Sequence, residues 1–255
     1  MPRRLGQHFL RPASVEKLVR LIDPRPDDAF LEIGPGAGAL TLPLAATARE
    51  VVAVELDTAL ARELAARLPP NARVVTADAL GADLEGLVPG SGRLRLVGNL
   101  PYYVSSPLLR RLLELRGRAF DLHAMLQEEV ADRVASPPGS KAYGVLSVLF
   151  GLWAELDVPL RFPPASFSPP PKVESAVLRA RFRRAPLAAV DDPGGFERLV
   201  HRAFAHRRKT LENNLQDSYP NLKENLRLLK IEGMRRAETL SIVEFARLAE
   251  RLSAR

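Results

Sequence analysis

Short apolar runs alternate with amphipathic stretches over the first two thirds of the 255-residue chain. Val15, Leu18, Val19 and Ile22 recur at helical spacing behind Ser14, a residue suited to an N-cap, and predict a surface helix over 14–22. Beyond it, β-like runs at 29–33, 51–55, 74–76 and 94–97 are interrupted by helical patterns at 40–48 and 59–68. A helix over 107–116, a strand over 122–127 and a helix beginning near Glu129 continue the series. This alternation predicts parallel βαβ units. Apolar residues fill a helix over 143–153, and the runs at 157–162 and 173–182 flank a proline-rich loop. That pair suits antiparallel strands closing the sheet edge, so an α/β fold with a doubly wound, mostly parallel sheet is expected.

The pattern changes after Phe182. Arg183-Arg-Ala-Pro and Asp191-Asp-Pro-Gly-Gly have few apolar anchors and read as a linker, which puts a domain boundary near 185. Residues 1–184 form the expected catalytic domain and 185–255 a smaller all-α one. In the latter, Phe196, Leu199, Val200, Ala203 and Phe204 mark a helix ending in the basic block Arg207-Arg208-Lys209, with further helices over 222–230 and 242–252.

Charge adds to this division. Residues 1–178 carry 20 Lys+Arg against 20 Asp+Glu, whereas 179–255 carry 17 against 10, so the excess of +7 lies wholly in the last part. A neutral unit joined to a basic one suits a polyanionic partner, most simply nucleic acid. There is no Cys, and the four His at 8, 123, 201 and 206 have no ligand spacing, which excludes disulfides, thiolate chemistry and a cysteine metal site. No metal is expected. The apolar, uncharged stretch 142–154 is 13 residues, too short to cross a bilayer. Gly6, Gln7, His8 and Arg11 interrupt any apolar region behind the basic start, so no secretion signal is read and a cytoplasmic protein is expected.

Candidate chemistry sits where strands end. Leu31-Glu-Ile-Gly-Pro-Gly-Ala-Gly follows the first sheet strand, and Gly34 and Gly36 let a backbone approach a ligand closely. Glu55 ends the next strand 21 residues after Gly34, placed to accept from a ribose diol. Together they specify a nucleoside-containing cofactor. Gly34, Gly36 and Ala39 also satisfy the relaxed dinucleotide fingerprint, so a nicotinamide cofactor stays open at this stage. Asp78, next to Ala79, closes the third strand, where a carboxylate suits an adenine amino group or a helix cap. After the fourth strand comes Asn99-Leu100-Pro101-Tyr102. Asn99 offers a carbonyl acceptor for an amino group, Pro101 fixes the turn, and Tyr102 offers a ring for stacking.

In this order the motifs resemble those of class I S-adenosylmethionine-dependent methyltransferases, with Asn-Leu-Pro-Tyr the form seen in rRNA adenine N6-methyltransferases. Phe167-Ser-Pro-Pro-Pro-Lys-Val-Glu-Ser175 is similar to that family's Phe-x-Pro-x-Pro-x-Val-x-Ser stretch, which implies that Phe167 faces the target base. Gly6-Gln-His-Phe-Leu10 resembles its amino-terminal Gly-Gln-Asn-Phe-Leu segment, which implies that Gln7, His8 and Leu10 lie over the methionine end of the donor. His8 stands where the family usually has Asn. Ala205-His-Arg-Arg-Lys-Thr-Leu-Glu-Asn-Asn-Leu215 and Arg236-Ala-Glu-Thr-Leu240 resemble the KsgA type, the housekeeping small-subunit dimethyladenosine transferases, rather than the resistance (Erm) methylases. The resemblance implies a monomeric enzyme using S-adenosylmethionine on two adjacent adenosines of the 3′-terminal hairpin of small-subunit rRNA, within a pre-ribosomal particle. Readings also weighed are an assembly factor with secondary catalysis and an Erm-like enzyme of large-subunit rRNA.

Overall fold

A computed structural model describes residues 8–87 and 93–253. Within the first two thirds, strands β1 (Phe9–Leu10), β2 (Asp28–Ile33), β3 (Glu50–Glu55), β4 (Ala72–Thr76), β5 (Arg93–Asn99) and β6 (Ala119–Gln127) are interleaved with helices α1 (Pro12–Ile22), α2 (Thr41–Ala45), α3 (Thr58–Ala65), α4 (Leu84–Leu87) and α5 (Ser105–Glu114). The chain continues through α6 (Glu128–Val134), α7 (Val145–Trp153), β7 (Ala154–Phe162), β8 (Phe167–Ser168) and β9 (Ser175–Phe182). It ends in α8 (Pro193–Ala203), α9 (Leu211–Leu215), α10 (Leu222–Leu229) and α11 (Ile242–Ser253).

Seven strands make one sheet in the order β4-β3-β2-β5-β6-β9-β7. The pairs β4/β3, β3/β2, β2/β5 and β5/β6 are parallel, and β6/β9 is antiparallel. The doubly wound expectation holds, because β2 and β3 are buried on both faces and need helices on both sides. From β2 the chain runs outward through β3 and β4, then returns to the other side of β2 as β5. That reversal opens a crevice at the carboxyl ends of β2 and β5, where such sheets bind ligands.

Local chemistry sets several boundaries. Pro12 opens α1 two residues before the expected Ser14, supplying the fixed φ of a first helical position, and Asp57 caps α3 by accepting from Ala59 and Leu60 N–H. Strand β5 runs two residues past Val97, which makes Asn99 its last residue. Gly98 permits this. A Cβ there would lie 2.7 Å from the Ile33 carbonyl of β2.

The chain divides into two compact units, one of Met1–Ala131 with Asp157–Phe182 and one of Asp132–Leu156 with Arg183–Arg255. The break after Phe182 lies near the expected 185. The segment Asp132–Leu156, expected within the first domain, instead groups with the carboxyl-terminal helices. Its helix α7 is apolar nearly all round, so it serves as a central helix of that second unit rather than a surface layer on a sheet. Gly151 lets α11 approach, since a Cβ there would meet Ile242 Cδ1 at 2.4 Å; in the same unit Phe204 stacks on Phe245 and meets Tyr143 edge-on.

At the amino ends of β2, β5 and β6 lies a buried ion network. Arg95 donates to both carboxylate oxygens of Asp121 at 2.9 and 2.6 Å, to Asp28 Oδ2 at 2.9 Å and to the Asp23 carbonyl at 3.2 Å. Asp28 also accepts from Arg25 N–H at 2.8 Å. His123 beside it is held neutral, its pKa lowered to about 4 chiefly by burial. Removing one partner from such a network strands the others in low dielectric, so Arg95→Met is expected to cost about 3–5 kcal/mol of unfolding free energy. Urea denaturation measures it; a loss below 1 kcal/mol would show the network to be incidental.

Candidate active site

The crevice at the switch point is walled by three strand ends and by the short β1. Its lining includes His8, Phe9 and Leu10, the glycine loop from Gly34 to Gly36, Glu32, Glu55 and Leu56, and Asn99 to Tyr103. Gly34 and Gly36 have φ of +71° and +55°, open to glycine without strain, and a Cβ on Gly36 would lie 2.8 Å from the Phe9 ring. The loop is tied down by Glu55, whose Oε2 accepts from Gly36 N–H at 3.0 Å while Oε1 accepts from Asp57 N–H at 2.9 Å. Each oxygen keeps a lone pair for a hydroxyl.

Glu32, which the motif reading passed over, is the electrostatic centre of the crevice. It is 2% exposed, and among the described residues its Oε2 has no hydrogen-bond partner. Burial raises its pKa from 4.5 to about 7, the neighbouring Thr41 hydroxyl opposes this, and the Glu55 charge adds to it. An unpaired buried carboxylate facing a cavity suits a cationic ligand. Its sequence signal was present, as the acid interrupting the otherwise apolar run 29–33.

Asn99 is held by β1. Its Nδ2 donates to the His8 carbonyl at 2.9 Å, which leaves Oδ1 as the acceptor. The His8 ring contacts the Pro169 carbonyl through Nδ1 at 2.8 Å and lies 26° from the plane of Tyr102, with centroids 6.0 Å apart. The Tyr102 hydroxyl hydrogen-bonds Ser175 Oγ, and burial raises its pKa. The last residue of the Phe167–Ser175 stretch is therefore what anchors the Tyr102 ring. Behind it, Leu100 N–H donates to the Met125 carbonyl and Val104 N–H to the Pro101 carbonyl, both at 3.1 Å. Among the described residues no backbone donor takes the Leu100 carbonyl.

The structure thus gathers His8, Leu10, Gly34, Gly36, Glu55 and Asn99 to Tyr102 around one cavity. Three expected residues are elsewhere. Phe167 is wholly buried in the core with Phe30, Val97, Met125 and Phe162, and β8 pairs Phe167 with Leu10 of β1, so its ring does not face a base. The apolar environment claims a large ring that has no polar atom to satisfy. Asp78 and Ala79 do not line the cavity; Asp78 is exposed and its Oδ1 accepts from Leu80 N–H at 2.9 Å, a turn-closing role. Gln7 lies outside the described residues. In the second unit, Arg207, Arg208 and Lys209 are exposed, on the turn between α8 and α9 rather than on the helix itself. Among the described residues no group of acidic, His or Cys side chains is placed to hold a metal.

A doubly wound sheet whose switch-point crevice offers a diol acceptor, a buried carboxylate for a cation and an acceptor for an amino group defines a methyltransferase of the S-adenosylmethionine-using class. The donor fits these residues: the orphaned Glu32 oxygen matches its positive charge, and Gly36 leaves the room that a side chain would fill. The chain belongs to the ribosomal RNA adenine dimethylase family, whose model matches residues 2–254. It is 42% identical to "Ribosomal RNA small subunit methyltransferase A" of Xylella fastidiosa strain 9a5c, covering 97% of this chain and 94% of that protein. The protein of the same name from Geobacillus kaustophilus is 44% identical over 98% of this chain and 90% of its own. Among solved structures, 23S rRNA methyltransferase ErmE is similar with a TM-score of 0.72 and 29% identity, covering 96% of this chain and 99% of that one. A dimethyladenosine transferase from Plasmodium falciparum shares the fold, with a TM-score of 0.76 at 23% identity over 94% and 96% of the two chains.

Because Glu32 titrates near 7 in the free protein, binding a cation favours its ionised form and expels a proton where the carboxyl is still protonated. Donor affinity is expected to rise with pH through about 7 and then level off. The same raised pKa means that the ligand-free fold loses stability between pH 4.5 and about 7, as the unfolded chain ionises more readily. Glu32→Gln should remove that loss. Its melting temperature should exceed that of the wild type by an amount that grows over this interval, while donor affinity falls and loses its pH dependence. Thermal scans and calorimetry against pH check both; a pH-independent difference between the two proteins would discard this assignment.

Proposed function

We propose that the protein transfers methyl groups from S-adenosylmethionine to N6 of two adjacent adenosines in the 3′-terminal hairpin of small-subunit rRNA, two to each, acting as a monomer on a pre-ribosomal particle in the cytoplasm. The observation that carries the reading is the Asn99 amide, fixed by the His8 carbonyl with Oδ1 left to accept. The donor supplies an electrophilic methyl carbon on a sulfonium.

The chain's own task is alignment. An adenine amino group donating one N–H to Asn99 Oδ1 and the other to the Leu100 carbonyl has its nitrogen lone pair turned out of the ring plane, toward the methyl. The new N–C bond forms as the S–C bond breaks, and the amino proton leaves to solvent. Positioning of this kind needs no strong acid or base. Tyr102, its hydroxyl held by Ser175, supplies the stacking wall. Glu55 holds the ribose diol and Glu32 offsets the donor's positive charge.

Relatives 41–44% identical carry the small-subunit name, against 29% for the large-subunit enzyme ErmE, which favours the small-subunit target. The exposed basic turn at 207–209 supports an rRNA partner through phosphate contacts.

Methylation of unmodified small-subunit particles, followed by mass mapping of dimethyladenosine, tests reaction and target together. Asn99→Ala is expected to lower turnover at least about 100-fold, the scale of losing one oriented transition-state hydrogen bond, and to leave RNA affinity within a few-fold. Near-normal turnover would remove Asn99 from the chemistry. Arg207 also donates to the Lys141 carbonyl, so the cleaner phosphate test is Arg208→Glu with Lys209→Glu. RNA affinity should fall and its salt dependence flatten, with donor affinity unchanged. Loss of both affinities would make the turn structural.

A further inference from the structure

Tyr103 is 64% exposed, although it sits at the mouth of the catalytic crevice directly after Asn99–Tyr102. Among the described residues it has no hydrogen bond and no ring partner, in contrast to Tyr102, whose hydroxyl is tied to Ser175 and whose ring lies by His8. The backbone that presents it is fixed. Pro101 sets the entry to the turn Tyr102–Val104, Val104 N–H closes it on the Pro101 carbonyl, and Ser105 Oγ donates to the Tyr102 carbonyl at 3.2 Å. Leu56, 51% exposed, lines the same mouth.

A large ring left in water on a rigid turn loses apolar burial that a core position would have secured, yet it is ready to stack with little ordering cost. The partner chemistry follows from the site. When an adenine enters the crevice, its neighbour in the strand loses a stacking face. An exposed aromatic ring one residue from the clamp can replace that face, and it does so for any base because each has a π-surface. Phe167 cannot, being buried.

Building on the rRNA adenine methylation proposed above, we infer that Tyr103 is a positioning residue that stacks the nucleobase adjoining the reacting adenine. With two adjacent adenosines as target, the base on Tyr103 is the second adenine while the first is methylated. Tyr103 then holds the strand in register between the two reactions.

The test uses the full chain and assembled small-subunit particles carrying unmodified rRNA, with the flanking nucleotide either intact or abasic. On intact RNA, Tyr103→Ala should raise KM for the particle about 5- to 100-fold, the range for losing one base stack, with a smaller change in kcat. Tyr103→Phe should match the wild type. On abasic RNA, wild type and Tyr103→Ala should converge. An unchanged KM on intact RNA, or a penalty that persists in full on abasic RNA, would overturn the inference. So would an equal loss of donor affinity by calorimetry, since the ring would then face the donor. A wild type that leaves the adenines of the particle unmethylated would instead bring down the underlying reading of function.

Discussion

The hydrogen bond from Asn99 Nδ2 to the His8 carbonyl joins the last residue of β5 to the strand that lies over it. An unrestrained carboxamide can present either end to a ligand, and only one end accepts. Committing the donor to a backbone carbonyl settles which. The same bond places β1, and β1 in turn pairs with β8, seals Phe167 into the core and brings the Phe9 ring against the glycine loop. A two-stranded contact of four residues thus shapes both the amino-group acceptor and the wall of the crevice.

The two ends of the sheet use charge in opposite ways. At the amino ends, Arg95 pairs with Asp28 and Asp121 together, donating from Nε, Nη1 and Nη2. At the carboxyl ends, Glu32 and Glu55 are both nearly buried, and among the described residues no cation is paired with either. Glu55 is offset by backbone N–H groups, whereas Glu32 keeps an orphaned oxygen and a raised pKa. Charge paired with charge stabilises the fold, whereas a buried carboxylate that lines a cavity with no countercharge is a place where a cationic ligand fits.

The aromatic residues divide similarly. Phe167 and Tyr102 belong to stretches whose resemblance implies a base clamp, Tyr103 follows directly on the second, and each has a different neighbourhood. Phe167 is in the core, Tyr102 is pinned at its hydroxyl and flanked by His8, and Tyr103 is presented to solvent from a closed turn. Residue type alone cannot separate these roles, because a ring serves equally as core filler and as stacking platform.

Much of the fold and of the donor site was legible in the chain. Alternating apolar runs determine parallel βαβ units, since a strand buried on both faces is mostly apolar, and the glycines, Glu55 and Asn99 to Tyr102 follow because ligands meet such sheets where strands end. What required the tertiary structure depends on neighbours distant in sequence. Residues 143–153 read as an ordinary apolar helix, and only packing of α7 against α8 and α11 assigns it to the second unit. Phe167 was misplaced because pairing with Leu10, more than 150 residues away, decides its burial. Glu32 looked like one acid in a strand; its altered acidity exists only once the folded sheet buries it beside Thr41 and Glu55 and water is excluded. Local pattern determines element type and order, whereas burial, pairing and pKa are properties of the assembled surroundings.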